Sequence, residues 1–278
     1  MNLKTFFNRQ FIRRQALQIF ALVEKNLRLS LRFKFNVVIS FLMPIITIAM
    51  PLIILGKFFT LNTEFGPWNE SNYMVFQFMA YQILIIKALI NAFPAEFLRE
   101  KYWKTIPAII IAPLNRYNLL FGIFFSHIIL ISIPLIIFFV LCWIVFPISF
   151  LTIISIILLL LFIALIFSSI GLIIGAFAIS NENIWKILGF GISMVFWLSC
   201  LTYPFEIFPS EIQLLINLNP LYYIFDILRT TWIENNIILS ISLHPVNFLI
   251  LVLTVVIFPI ISVYIFKMVY KKFGIVGY

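Results

Sequence analysis

Of 278 residues, 63% are hydrophobic, 18% aromatic and only 10% charged, whereas a soluble domain is roughly 45–50% apolar and about 25% charged. With a mean hydropathy of +1.13 and 33 phenylalanines, the chain lacks the polar side chains needed to cover a water-facing surface, which excludes a soluble protein. The net charge of +9 would suggest nucleic acid in a soluble protein; in a membrane chain its placement reports topology, and no nucleic-acid partner is expected.

The N-terminus, MNLKTFFNRQFIRRQ, is basic and is followed by no uninterrupted apolar core or small-residue cleavage site, so no signal peptide is expected. Residues 8–34 place Ile12, Ala16, Ile19, Phe20, Val23, Leu27 and Leu31 at helical spacing, with Arg9, Arg13, Arg14, Lys25, Arg28 and Arg32 interrupting any span. This predicts an amphipathic helix along the membrane face, serving either as a lipid anchor or as a docking surface for a cytosolic partner.

Apolar runs long enough to cross about 30 Å of hydrocarbon follow at 35–57, 72–98, 118–146, 150–179, 184–205 and 246–268. The segment 206–245 between the last two is too apolar for a solvated loop and too broken by Pro209 and Pro220 for one straight span, so it predicts short helices dipping back into the outer leaflet. Trp68, Tyr73, Tyr222, Tyr223 and Trp232 are placed for the outer interface. The expected fold is an all-α membrane protein of one transmembrane domain over 1–278, with an interfacial helix, six transmembrane helices and re-entrant helices in the last external segment.

If both termini are cytoplasmic, the charges divide as +12 inside and −4 outside, with Lys87 inside the second span completing the total. The excess of Lys and Arg on that side predicts a multi-pass protein of the cell membrane with both termini in the cytoplasm.

Several chemistries have no support. There is no GxxxxGK[ST] phosphate loop, no HExxH pair or Cys/His cluster, and no GxSxG nucleophile, so the chain is not expected to be an enzyme or to hold a metal or cofactor. Cys142 and Cys200 lie in apolar surroundings and read as small core residues. His127, within the third span, suits a core histidine or a proton relay. Ser168, Gly171 and Gly175 form a small-residue ridge that allows close helix approach. Lys87 lies deep in the second span, either snorkelling to the headgroups or facing the bundle interior, where a cation could attract a phosphate.

Two segments carry a family resemblance. The first is Arg99-Glu100 followed by KYWKTIPAIIIAPLNRYNLLFG, residues 101–122, in which Thr105, Ile106, Ile109, Ile110, Pro113, Arg116 and Gly122 resemble the cytoplasmic signature of ABC-2 type exporter permeases. Lys104 stands where that family usually has glycine, and Pro107 where it has glutamate. The second is FPSEIQLLINLNPLYYIFDILR, residues 208–229, whose Pro209, Asn219, Pro220, Leu221, Tyr223, Asp226 and Arg229 resemble the family's external element.

The resemblance implies a transport subunit that pairs with a second copy and with separate ATP-binding cassette ATPase subunits, which would carry the ATP and Mg. It further implies a coupling segment at 99–116, with Arg13, Arg14, Lys25, Arg28, Arg99, Glu100, Thr105, Pro113 and Arg116 as its candidate contacts. Within it, Arg99 and Glu100 are expected to make charge pairs with the ATPase and Thr105 to cap a helix start. An external gate of Pro209, Asn219, Pro220, Tyr223, Asp226 and Arg229 is expected, with Asp226 and Arg229 paired at i and i+3. Lys87 is the candidate pathway residue. Substrates of the family range over drugs, lipids and lipid-linked polysaccharide. The alternative is a secondary carrier or intramembrane enzyme acting without an ATPase.

Overall fold

The computed structural model describes residues 9–60, 65–105 and 114–273, and these are helical apart from short connections and one bridge between Phe65 and Trp68. Pro113 and the rest of the connection 106–113 lie outside the described residues.

The first helix, α1 (Arg9–Arg32), is followed after Phe33 by α2 (Lys34–Thr60), which accommodates Pro44 and Pro51 in its interior. Next come α3 (Tyr73–Lys87) and α4 (Leu89–Tyr102), which form one stretch interrupted only at Ala88. There the amide of Ala88 donates to the Ile85 carbonyl at 3.1 Å, and that of Asn91 to the Ala88 carbonyl at 3.1 Å. These three-residue steps tighten the helix locally. Helix α5 (Arg116–Val145) starts on Asn115, whose side chain accepts from the Tyr117 amide, and α6 (Phe150–Ser180) starts on Ser149, which accepts from Thr152. Asn181 likewise caps α7 (Glu182–Trp197). Each side chain satisfies an amide that a helix start leaves without a partner.

Beyond a 3₁₀ turn at Phe205–Ile207 stand α8 (Ser210–Asn217), α9 (Pro220–Glu234) and α10 (Ile237–Leu243), and α11 (Pro245–Phe273) completes the described chain. Among the described residues five segments are long and apolar enough to cross a membrane: Phe41–Phe59, Tyr73–Tyr102, Arg116–Val145, Phe150–Ile179 and Pro245–Val269.

Differences from expectation concentrate around α7. The span expected at 184–205 is a 16-residue helix that stops at Trp197. Its apolar run continues, but the chain turns at Cys200, whose φ of 52° is left-handed. Trp68 and Trp232, expected at an interface, are instead buried, edge-on to Phe76 at 4.8 Å and Phe139 at 5.5 Å.

The core runs along α3 and α4, the most buried of the long apolar segments. Helix α4 packs most extensively on α6, and α6 in turn on α11. The small-residue ridge makes this possible. A Cβ on Gly171 would come within 2.6 Å of the Ile90 carbonyl oxygen, and one on Gly175 within 2.9 Å of the Phe97 ring. The helices therefore meet nearly backbone to backbone.

Candidate functional site

The end of the bundle where α1, the end of α4 and the start of α5 meet is held by polar side chains. Gly122 lets α1 lie close on α5, since a Cβ there would sit 2.6 Å from Leu22 Cβ. Beside that contact, the amide of Asn118 donates to Gln15 and, at 2.6 Å, to Gln18, while Asn115 donates to Gln15 at 3.3 Å. Of the apolar stripe on α1, Val23 is buried, whereas Ile12, Phe20 and Leu31 stay exposed. The helix is thus held through its glutamines, Leu22 and Val23, and leaves part of its apolar face exposed.

One turn further along α1, Lys25 donates to the Glu100 carboxylate at the end of α4. Glu100 is 7% exposed and also accepts from the Thr105 hydroxyl. Arg99 pairs with Glu96 and lies over the Trp103 ring at 5.3 Å. In the chain by itself, Glu100 is thus paired with Lys25 and Arg99 with Glu96. Thr105 closes the end of α4: its amide donates to the Glu100 carbonyl at 3.0 Å while that of Lys104 donates to Lys101 at 3.0 Å; the helix start that it was expected to cap would fall in 106–113, outside the described residues. These two bonds make a Schellman closure, whose penultimate position requires a left-handed residue. Lys104 takes that conformation, with φ of 55°, which explains physically why glycine suits the position. Arg13, Arg14 and Arg116 are exposed, and Arg28 is largely so, holding Glu24 at 2.6 Å.

At the other end, the region between α7 and α10 is stitched by side chains that seize backbone carbonyls. Asn219 caps α9, accepting from the Leu221 amide at 3.0 Å, while its own amide donates to the Val195 and Leu198 carbonyls at 2.7 and 2.9 Å. Pro220 occupies the first helical turn, where the missing amide is not needed. Gln77 donates to the Thr202 carbonyl at 3.0 Å. Arg229, 1% exposed, donates to the Leu201 carbonyl at 2.6 Å with its guanidinium 3.7 Å from the Phe76 ring centroid. The Val195 and Leu198 carbonyls at the end of α7, and those of Leu201 and Thr202 in the turn that follows, thus have side-chain partners, and this is a physical reason the helix can stop inside an apolar run.

Asp226 and Arg229 do not form the expected direct ion pair. Asp226 instead accepts from Asn247 of α11 at 2.7 Å. Burial raises the Asp226 carboxyl above the usual range, against the opposing pull of Arg229. Burial likewise lowers the Arg229 guanidinium to about 10, against the pull of Asp226. Tyr223 donates to the Asn217 carbonyl at 2.8 Å at the end of α8, whose start is set by exposed Pro209 accepting from Ile212 and Gln213 at 3.0 Å.

Both motifs, the helical membrane architecture and the order of elements now stand together with a family match over residues 17–232, described as ABC-2 type transporter. The chain belongs to the ABC-2 type transporter family. The matched stretch runs from α1 into α9 and contains both motifs, Arg99–Gly122 and Phe208–Arg229. No curated protein matches the chain. As an ABC-2 membrane component it is a multi-pass transport protein.

Within this ABC-2 transporter, the Lys87 ammonium lies 4.1 Å from the centroid of Phe196, at the last turn of α7. His127 Nδ1 faces the Ile123 carbonyl at 3.0 Å, as a satisfied core histidine does. Cys142 and Cys200 are free and buried. No group of three or more potential metal-ligating side chains occurs among the described residues.

Sequence reasoning missed Gln15, Gln18, Gln77 and Asn247. The glutamines on α1 had a signal, since Gln15 and Gln18 are one turn apart, as Asn115 and Asn118 are at the start of α5. Gln77 and Asn247 had none, because their partners are a backbone carbonyl and a carboxylate distant in sequence.

Proposed function

We propose that this chain is the permease subunit of an ATP-binding cassette exporter. Two copies pair in the cell membrane, two separate ATPase subunits carrying ATP and Mg dock on the end that holds α1 and the 106–113 connection, and both termini face the cytoplasm. In this reading α7 and the turn after it complete a sixth crossing, and α8 to α10 re-enter the outer leaflet. The substrate is an amphipathic or lipid-linked molecule: a drug, a lipid or a lipid-linked polysaccharide. Lipids cover the exposed face of α1.

The observation that carries the reading is the node of Lys25, Glu100 and Thr105. It ties the interfacial helix to the base of a transmembrane helix at the point where the connection 106–113 leaves. A displacement of that connection by a closing ATPase would be passed to α1 and α4 together. Exposed Arg13, Arg14, Arg28 and Arg116 supply a basic surface for the contact, Arg99 stiffens the end of α4, and Pro113 belongs to the docking segment itself. The lattice around Asn219, Pro220 and Arg229 holds the outer closure, with Tyr223 and Pro209 fixing α8 and Asp226 fixing α9 on α11.

Copurification tests the partnership: the chain is expected to recruit a P-loop ATPase, and transport that persists with an ATPase-dead partner overturns the reading. Glu100→Ala is expected to lower transport per ATP hydrolysed several-fold in reconstituted vesicles while membrane insertion is retained. Because Lys25 is 40% exposed at the side chain, the stability lost should be about 1 kcal/mol or less.

A further inference from the structure

Lys87 sits fourteen residues from Tyr73 and fifteen from Tyr102 in the segment Tyr73–Tyr102, hence about 21 Å from one end and near mid-depth. An ammonium at that depth is expensive and is found facing a bundle interior or a water-filled cavity. Three observations meet on it. Its ammonium rests on Phe196, which itself packs with Phe167 and Phe225 at 5.3 and 5.9 Å between ring centroids. Among the described residues no carboxylate lies within ion-pair distance of it. The tightened turn of the helix begins at this residue, and Ala88 and Asn91 beyond it are exposed on a span whose neighbouring positions Ile86, Leu89, Ile90 and Ala92 are buried.

The ring holds the cation in place without neutralising it, which a carboxylate would do. In its protonated form Lys87 therefore presents a positive charge that no carboxylate neutralises, one turn from the exposed Asn91 side chain. We infer that Lys87 is an anion-recognition point, taking the phosphate of a phosphate-bearing amphiphile whose chain lies against apolar protein or lipid. This rests on the transporter reading above and names a substrate class for it.

The test uses the full chain in phosphatidylcholine nanodiscs without ATP, with decyl phosphate, decyl maltoside and inorganic phosphate as probes. Decyl phosphate is expected to bind at least roughly tenfold more tightly than decyl maltoside, in keeping with one charge-assisted contact. Lys87→Gln should remove that preference and leave decyl maltoside binding unchanged, which also reports an intact fold, and Lys87→Arg should keep the preference. Equal affinity of the wild type and Lys87→Gln for decyl phosphate overturns the inference, as does a matching loss of both amphiphiles. Inorganic phosphate competing as well as decyl phosphate overturns the amphiphile assignment. Absence of ATP-driven transport with phosphate-selective binding intact would remove the exporter reading alone.

Discussion

The two polar clusters at opposite ends of the bundle are built from different kinds of bond. Around Glu100 most contacts that join separate elements are side chain to side chain, the Lys101 bond to the Ile179 carbonyl being an exception, and Lys25 remains 40% exposed at its side chain. Around Arg229, apart from Asp226 with Asn247, they run from buried side chains to backbone carbonyls at Val195, Leu198, Leu201 and Thr202. A partly exposed ion pair can open into water at small cost and is weakened by salt. A buried carbonyl deprived of its donor bears the full desolvation penalty. Breaking the Lys25–Glu100 pair is therefore expected to cost less stability than breaking the bonds around Arg229.

Substitutions can break or sharpen this contrast. The largest effect is expected for Arg229→Ala, which leaves the Leu201 carbonyl unpaired and removes the cation from Phe76. It should lower stability by about 3 kcal/mol, read as thermal unfolding in detergent. A loss no greater than that of Glu100→Ala would end the distinction between the two ends. Asn219→Ala removes the cap of α9 and two donors at once, and a loss of about 2 kcal/mol in the same measurement is expected. Smallest, and opposite in sign, is Lys104→Gly. Relief of the left-handed strain at φ of 55° should stabilise the protein by about 0.5–1 kcal/mol after glycine's greater unfolded freedom is offset. A destabilisation there would mean that the lysine side chain contributes a contact outweighing the strain.

The long elements were legible in the sequence because apolar length and helical spacing are one-dimensional signals. So were the two motifs, whose Asn219, Pro220 and Arg229 now have concrete tasks. The end of α7 was not legible. The run around Trp197 contains no glycine or proline until Pro204, and the left-handed residue that turns the chain is Cys200. What stops the helix is the set of donors arriving from α3 and α9, and backbone acceptors leave no mark on composition. The i, i+3 pairing of Asp226 with Arg229 failed for a related reason. Local spacing proposed one partner, while burial made a nearby carbonyl and Asn247 better ones.

The ridge of Gly171 and Gly175 has a mechanical consequence. Side chains between two helices act as soft spacers that can re-pack when one helix slides past the other. Here the spacers are missing, and α6 rests against the backbone of α4 at Leu89, Ile90 and Phe93. Such close contact is expected to make the two helices move together, so that a torque applied where Glu100 meets Lys25 would reach the level of Lys87 with little of it absorbed on the way.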